Sequence, residues 1–498
     1  MAECLSLLKL RRNVYALFLF ILAAAAADES HIVKSLPGYP GTLPFKLETG
    51  YISLGENGER QLFYHFAESE GDPDKDPLLF WITGGPGCSG FSALVYEIGP
   101  LAFDFSTFNG SLPDLVLSPY SWTKIASIIF IDAPVGTGFS YINTSQVYTS
   151  SDTKSTSDYD MFLRKWLLNH PSFVKNRLYV GGDSYGGKMV PMVALEIVKG
   201  NEAGLQPRIR LKGYLTGNSP ISTEQTLNER IPYAHRMALI SDEYYERARR
   251  SCKGEYVNPD PNNYECLHVL QLIEECTNNI NDKHILVPKC TLPPPKDDDF
   301  TQRRMIIEND PIDFLLMSKQ EDAYWCLLNN HVTSYVWAND PSVQEALYVR
   351  KGTIKDDWKR CNKSLLYERD VESVLPHHQL LLHKGYEALV YRYLTVPHFL
   401  CCWTVCNYVF LVSSGDHDMV VPYTSTVKWI RGLNLTIEDE WRPWTVDGQV
   451  AGYTEKYKKN DLAYLTFATV KGAGHTAPGY MPEQCFAMAK RWFSLFPL

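Results

Sequence analysis

The sequence predicts an α/β protein, with a mostly parallel central sheet covered by helices on both faces and an inserted, mainly helical lid. Three observations lead there. Short runs rich in β-branched and aromatic residues recur along the chain, with helix-like stretches between several of them. That rhythm breaks between about residues 217 and 340, where Asn, Cys, Pro and charge accumulate. Residues 177–198 read as strand, sharp turn and helix, the arrangement that lifts a side chain above a sheet edge.

The elements follow in order. Residues 1–27 read as a signal peptide. Lys9, Arg11 and Arg12 precede an apolar stretch, and its alanines offer a cleavage site near Ala27. The first part of the core spans 28–216. Its strand at 78–83 leads into Thr83-Gly-Gly-Pro-Gly-Cys88, a turn that exposes backbone N–H groups as an oxyanion hole requires. A second strand is expected at 125–131. A third, at 178–181, delivers Gly182-Asp-Ser-Tyr-Gly186, a G-x-S-x-G elbow that exposes the Ser184 hydroxyl. A helix over 188–198 and a strand over 211–216 complete this part. The lid spans 217–340, with helical patches at 242–250 and 264–276 and an exposed Pro- and Asp-rich loop at 288–304. It should cover the C-terminal edge of the sheet, where α/β sites lie. The second part of the core, 341–498, carries strands at 388–391 and 462–470. Asp416 and His475 lie where loops should follow late strands. The order Ser184, Asp416, His475 is that of an α/β-hydrolase triad, so these three are the expected catalytic residues of an α/β-hydrolase fold.

Composition narrows the class. A formal charge of −9 argues against a nucleic-acid partner. Entry into the secretory pathway permits disulfides and glycosylation. Asn109, Asn143, Asn362 and Asn434 each open an Asn-x-Ser/Thr site and are expected on the surface. Of 12 cysteines, Cys4 leaves with the signal peptide, and spacing alone leaves the pairing of the others open. No cysteine–histidine spacing resembles a zinc site, and no metal or cofactor is expected.

Longer motifs carry a resemblance. Thr83-Gly-Gly-Pro-Gly-Cys88, Asp132-Ala-Pro-Val-Gly-Thr-Gly-Phe-Ser140, Gly182-Asp-Ser-Tyr-Gly186, Gly415-Asp-His-Asp-Met-Val-Val-Pro422 and Gly474-His475 stand in fixed order. On these the chain resembles the plant serine carboxypeptidase-like proteins over nearly its whole mature length. The resemblance implies Ser184 as nucleophile, His475 as general base and acid, and Asp416 as the group orienting the imidazole. It implies an oxyanion hole from the N–H groups of Gly85 and Tyr185. It implies disulfides Cys88–Cys326, Cys252–Cys266 and Cys276–Cys290, with Cys361 and Cys485 unpaired.

The peptidases of this family hold a substrate carboxylate with a Trp, an Asn and two Glu. Trp81 and Glu97 match that set, whereas Thr83 stands for the Asn and Asp183 for the Glu before the serine. Thr lacks the amide donors, and Asp is one methylene shorter. Thr-Gly-Gly-Pro-Gly-Cys with Gly-Asp-Ser-Tyr looks like the family's acyltransferase branch, which takes acyl groups from 1-O-β-glucose esters. The expected partners are thus a small-molecule acyl donor and acceptor, with no membrane after signal cleavage. The expected location is the secretory pathway, in the vacuole or outside the cell. Burial should lower the pKa of the histidine and the triad carboxylate should raise it, a balance open at the level of sequence.

One stretch departs from the family pattern. Relatives run from Gly-Tyr-x-Ala-Leu-Val/Ile-Tyr directly into Ser-Gly-Asp-His-Asp. Here 22 residues, 392–413, separate Tyr391 from Ser414. They are apolar and cysteine-rich, and Arg392 and Ser414 can be encoded with splice-like AG|GT and AG boundaries. The segment is therefore read as a retained intron or gene-model error. If translated, its residues 409–412 should be able to replace 388–391 as the buried strand, with Asp416 still facing His475. A serine carboxypeptidase and a relative catalytically impaired by this insert are the alternative readings.

Overall fold

The computed structural model describes residues 29–144, 147–289, 331–353, 356–387, 408–460 and 463–498. The signal peptide, the expected strand at 388–391, and Cys290 and Cys326 lie outside the described residues.

Among the described residues, twelve strands form one sheet. In chain order they are β1 (Ser30–Val33), β2 (Leu47–Leu54), β3 (Arg60–Ala67), β4 (Leu78–Ile82), β5 (Ser127–Ile131), β6 (Tyr141–Ile142), β7 (Leu178–Asp183), β8 (Leu211–Gly217), β9 (Tyr408–Gly415), β10 (Thr436–Val446), β11 (Gln449–Asn460) and β12 (Ala463–Val470). The spatial order is β1-β2-β3-β5-β4-β7-β8-β9-β12-β11-β10, with β6 beside β3. The six central strands from β5 to β12 pair in parallel, and the flanks pair antiparallel. The fold is the α/β-hydrolase fold expected, with an antiparallel margin on each side.

Helices cover both faces, which is why the central strands are apolar throughout. Leu78, Phe80 and Ile82 of β4 and Phe410 and Val412 of β9 enter one core. They meet α2 (Asp152–Asn169), α3 (Ser184–Glu202) and α9 (Leu375–Glu387) there, through residues such as Trp166, Val193 and Leu381. Leu79, Trp81 and Leu411 point the other way, toward α1 (Gly90–Tyr96), α8 (Val332–Asn339) and α10 (Pro482–Phe493). Each such fully buried side chain contributes about 1.5–3 kcal/mol of transfer free energy.

The anomalous segment resolves in favour of its own last residues. Val409, Phe410, Leu411, Val412 and Ser413 pair with residues 213–217 of β8, and the same strand pairs with β12 on its other side. The strand that leads into the Asp416 loop is thus built from the second apolar copy. That strand ends at Gly415. A Cβ there would stand 2.3 Å from the Gly474 carbonyl oxygen.

Between β8 and α8 the chain forms α4 (Thr223–Asn228), α5 (Arg230–Arg236), α6 (Asp242–Cys252) and α7 (Tyr264–Thr277). These carry a small core of their own, including Ile231, Ala248, Val269 and Ile273, with Met419 packed against it. Cys252 and Cys266 join α6 to α7 as expected. Cys88 bonds to Cys361, correcting the expected Cys88–Cys326 bridge and the unpaired Cys361. The reason is local pairing. Ser89 N donates to Arg360 O at 2.8 Å and Asn362 N to Gly87 O at 2.9 Å, which brings the two cysteines face to face. Cys276, whose expected partner is Cys290, makes no disulfide within the described residues, and Cys485 is buried and free. Asn109, Asn143 and Asn434 are exposed. Asn362 is half-buried, and its amide nitrogen donates to Gly136 O at 2.8 Å. Among the described residues no helix is long and apolar enough to cross a membrane.

Candidate active site

The strand beside Ser184 dictates its flanking glycines. A Cβ on Gly182 would stand 2.5 Å from the Ile82 carbonyl oxygen, and one on Gly186 would stand 2.1 Å from it. Ser184 itself has φ 52°, a left-handed conformation that costs a non-glycine residue about 1–3 kcal/mol. The turn presents its hydroxyl at the first position of α3. Tyr185 follows, so its N–H is one of the first four of the helix, which have no intrahelical acceptor. The helix dipole favours negative charge at this point. Gly84 runs so close that a Cβ would lie 2.8 Å from Ser184 Cβ, and Gly85 has φ 118°. The two expected oxyanion donors, Gly85 and Tyr185, therefore belong to segments that both abut the nucleophile.

His475 lies between serine and a carboxylate. Its Nε2 is 2.8 Å from Ser184 Oγ, and its Nδ1 is 2.8 Å from Asp418 Oδ2. The acid is Asp418, and the expectation of Asp416 is corrected. Asp418 is 0% exposed. Its Oδ2 also accepts from Asn218 Nδ2 at 2.6 Å, and its Oδ1 accepts from Val420 N at 2.8 Å and Val421 N at 3.2 Å. A carboxylate can only accept, so Nδ1 of His475 carries the proton and Nε2 is free to accept from serine. Asp416 is spent elsewhere. Its Oδ1 accepts from Gly472 N at 2.8 Å and lies 2.7 Å from His417 Nδ1, tying the loop after β9 to the loop after β12. The chain turns between the two aspartates, and only the second comes under the imidazole.

Burial pushes the His475 pKa down and is the largest influence, but Asp418 and Asp183 together outweigh it, so the net shift is upward. That answers the balance left open by the sequence.

Two further contributors escaped the sequence reading. Asn218, with φ 44° just past the end of β8, fixes Asp418 and accepts from Gly415 N at 3.2 Å. A signal was present in Thr216-Gly-Asn218, a turn at the C-terminal end of a central strand. The lid strap at 281–285 also holds the catalytic loops. His475 N donates to Lys283 O at 2.7 Å, Met419 N donates to Asp282 O at 2.8 Å, and Ile285 N donates to His417 O at 3.1 Å. Nothing in the sequence marks that strap.

Trp81, Thr83, Glu97 and Asp183 gather behind the serine. Thr83 Oγ1 and Asp183 Oδ1 are buried without a partner, and Trp81 lies beside Glu97. Burial, then repulsion from Asp183, holds Glu97 well above the usual carboxylate range. Burial raises Asp183 to about 6, against the pull of His475 and Arg360. Trp81 and Asp183 line a buried cavity of about 20 Å³ with Asn218, Ser413 and Cys485, room for roughly one water molecule.

The serine carboxypeptidase family model matches residues 37–393 and 396–495. Serine carboxypeptidase-like 17 of Arabidopsis thaliana is 42% identical over 480 residues, covering 96% of this chain and 97% of that protein. Serine carboxypeptidase-like 11 of the same plant is 44% identical over 492 residues, covering 99% and 100%. The crystal structure of Kex1(Δ)p, a prohormone-processing carboxypeptidase from Saccharomyces cerevisiae, shares the fold with a TM-score of 0.63 at 19% identity, covering 91% of each chain. By motif, fold and full-length similarity, the chain belongs to the serine carboxypeptidase family.

Proposed function

We propose that this chain is an acyltransferase that moves an acyl group from a 1-O-β-glucose ester to an acceptor hydroxyl through an acyl-Ser184 intermediate. One observation carries the choice over peptide cleavage. The Asp183 carboxyl, one methylene shorter than the glutamate of the family's peptidases, borders a water-sized cavity with Trp81 and leaves Oδ1 unpartnered. The shorter side chain draws its carboxyl back from a substrate carboxylate, and Thr83 supplies no amide donor to one.

Ser184 Oγ attacks the ester carbonyl as its proton passes to Nε2 of His475. The N–H groups of Gly85 and Tyr185 receive the negative charge on the carbonyl oxygen. The bond to the sugar oxygen breaks, and glucose leaves with the proton from His475. The acceptor hydroxyl then gives its proton to His475 and attacks the acyl carbonyl. Ser184 leaves with that proton, which restores the enzyme. Asp418 keeps Nδ1 protonated throughout and stabilises the imidazolium. Transfer outruns hydrolysis when the acceptor is positioned, since effective molarities reach about 10⁵ M or more. The signal-peptide reading and the exposed Asn-x-Ser/Thr sites support a secretory-pathway glycoprotein.

The test is product analysis with a hydroxycinnamoyl glucose ester and a panel of acceptor alcohols. New ester in excess of free acid supports transfer, and free acid alone argues against it. The second reading, serine carboxypeptidase, is favoured by the raised Asp183 and Glu97, which would be protonated donors to a carboxylate at acid pH. Release of C-terminal residues from blocked dipeptides would select it.

A further inference from the structure

A buried charged network sits immediately beside the nucleophile, outside the triad. Asp152, at the start of α2, is 0% exposed. Its Oδ1 accepts from Tyr185 Oη at 2.7 Å and from Tyr367 Oη at 2.8 Å. Its Oδ2 accepts from Val371 N at 3.1 Å and from Lys188 Nζ at 3.3 Å. Lys188, one turn into α3 and 4% exposed, donates to Val371 O at 2.7 Å and to Tyr185 Oη at 3.4 Å. The same ammonium lies 4.9 Å from the centroid of the Tyr185 ring, and the Arg369 guanidinium lies 5.4 Å from it. Burial and the neighbouring Asp152 raise the Tyr185 and Tyr367 hydroxyls, so both stay protonated donors.

The network thus joins three separate segments: the start of α2, the nucleophile helix, and 367–371. Its bonds meet at the Asp152 carboxylate, and one of the donors there is Tyr185. That residue is bonded directly to Ser184 and supplies one of the two oxyanion N–H groups. A buried ion pair contributes little net stability against an apolar replacement, so stability alone does not account for one at this place. We propose that Asp152, with Lys188, is a positioning residue for acylation. It anchors the Tyr185 hydroxyl and so holds the Tyr185 N–H toward the oxygen that becomes negative. The inference rests on Ser184 as the nucleophile, not on the identity of donor or acceptor.

The test is phosphonylation of the full chain by a fluorophosphonate. In that step the Ser184 Oγ–P bond forms, the P–F bond breaks, fluoride leaves, and the serine proton passes to His475. Two variants are compared with wild type: Tyr185→Phe, which removes only the hydroxyl, and Asp152→Ala with Lys188→Met, which removes the pair together and leaves no lone buried charge. Complete loss of one oxyanion donor costs about 10²–10³-fold, so misaligning one is expected to lower kinact by roughly 10–100-fold in both variants. KI and the pH midpoint of kinact should stay unchanged, because neither variant touches His475 or Asp418. A wild-type kinact in either variant, with any loss confined to Tm, overturns the proposal. Tyr185→Phe decides the matter if the double variant does not fold. A wild-type chain that never labels would instead overturn the nucleophile assignment itself, and the proposal with it.

Discussion

Replacing Asp418 by Asn tests the corrected triad against its near neighbour. All four hydrogen bonds at Asp418 run into the carboxylate: His475 Nδ1 and Asn218 Nδ2 to one oxygen, Val420 N and Val421 N to the other. An amide offers only one acceptor atom. If its NH₂ faces His475, the imidazole must carry its proton on Nε2 and can no longer accept from Ser184. If the NH₂ faces the other way, it meets two N–H donors. The corresponding change in other Ser-His-Asp enzymes lowers kcat by about 10⁴. That is roughly 5.4 kcal/mol at 1.36 kcal/mol per tenfold. Asp416→Asn keeps an oxygen that can accept from Gly472 N, so its cost is bounded by one ordinary hydrogen bond, about 1 kcal/mol or less than tenfold. The assay is kcat for a p-nitrophenyl ester, normalised to sites titrated with a fluorophosphonate. An Asp416→Asn loss as deep as that of Asp418→Asn, or an Asp418→Asn enzyme within tenfold of wild type, would refute the reasoning.

Four further outcomes follow. His475 must be neutral to accept a proton and its pKa is raised, so activity should fall with decreasing pH through a midpoint above 6.5. Asp183→Asn removes one of the charges that raise it and should move that midpoint down in a pH–rate profile; an upward move contradicts the electrostatics. His65 is neutral in the fold, with its pKa pushed down to about 3 by burial, and both its ring nitrogens lack partners between Phe63 and Phe91. Its contribution is therefore present above the unfolded pKa of about 6.5 and is lost as pH falls toward 3, about 2 kcal/mol of it by pH 5. His65→Phe should raise Tm at pH 5 by more than at pH 7.5; equal shifts would contradict the linkage. Deleting residues 392–413 joins Tyr391 to Ser414 and lets the first apolar copy serve as the strand, so the shortened chain should label at Ser184 as fast as the full one. Slower labelling would mean that residues 408–413 contribute something the first copy cannot.

Legibility tracked physical constraint. The central parallel strands could be read because they are buried on both faces and each ends in a loop of distinctive composition. The antiparallel flanks were missed. The β10–β11 hairpin did carry a signal in Asp447-Gly448, both with positive φ, the pair a two-residue turn demands. Glycines forced by close backbone approach flank Ser184 on both sides, and another such glycine, Gly474, stands directly before His475. The acid was placed two residues early. Asp416 and Asp418 share one motif, and what selects between them is three-dimensional: Asn218 from β8 and the turn N–H groups of Val420 and Val421. Cys361 escaped for the same reason, since its partner is chosen by pairing of segments 273 residues apart. The two apolar copies before Ser414 are alike in composition, and the one adjacent to Gly415 lies between β8 and β12.

The most direct test of the proposed function is the mass of the Ser184 peptide after millisecond quenching of the enzyme with a 1-O-β-glucose ester and no acceptor. The account predicts the acyl increment on the peptide containing Ser184, discharged as ester when an acceptor alcohol is added. An unmodified Ser184 peptide, from enzyme that still releases residues from blocked dipeptides, would contradict it.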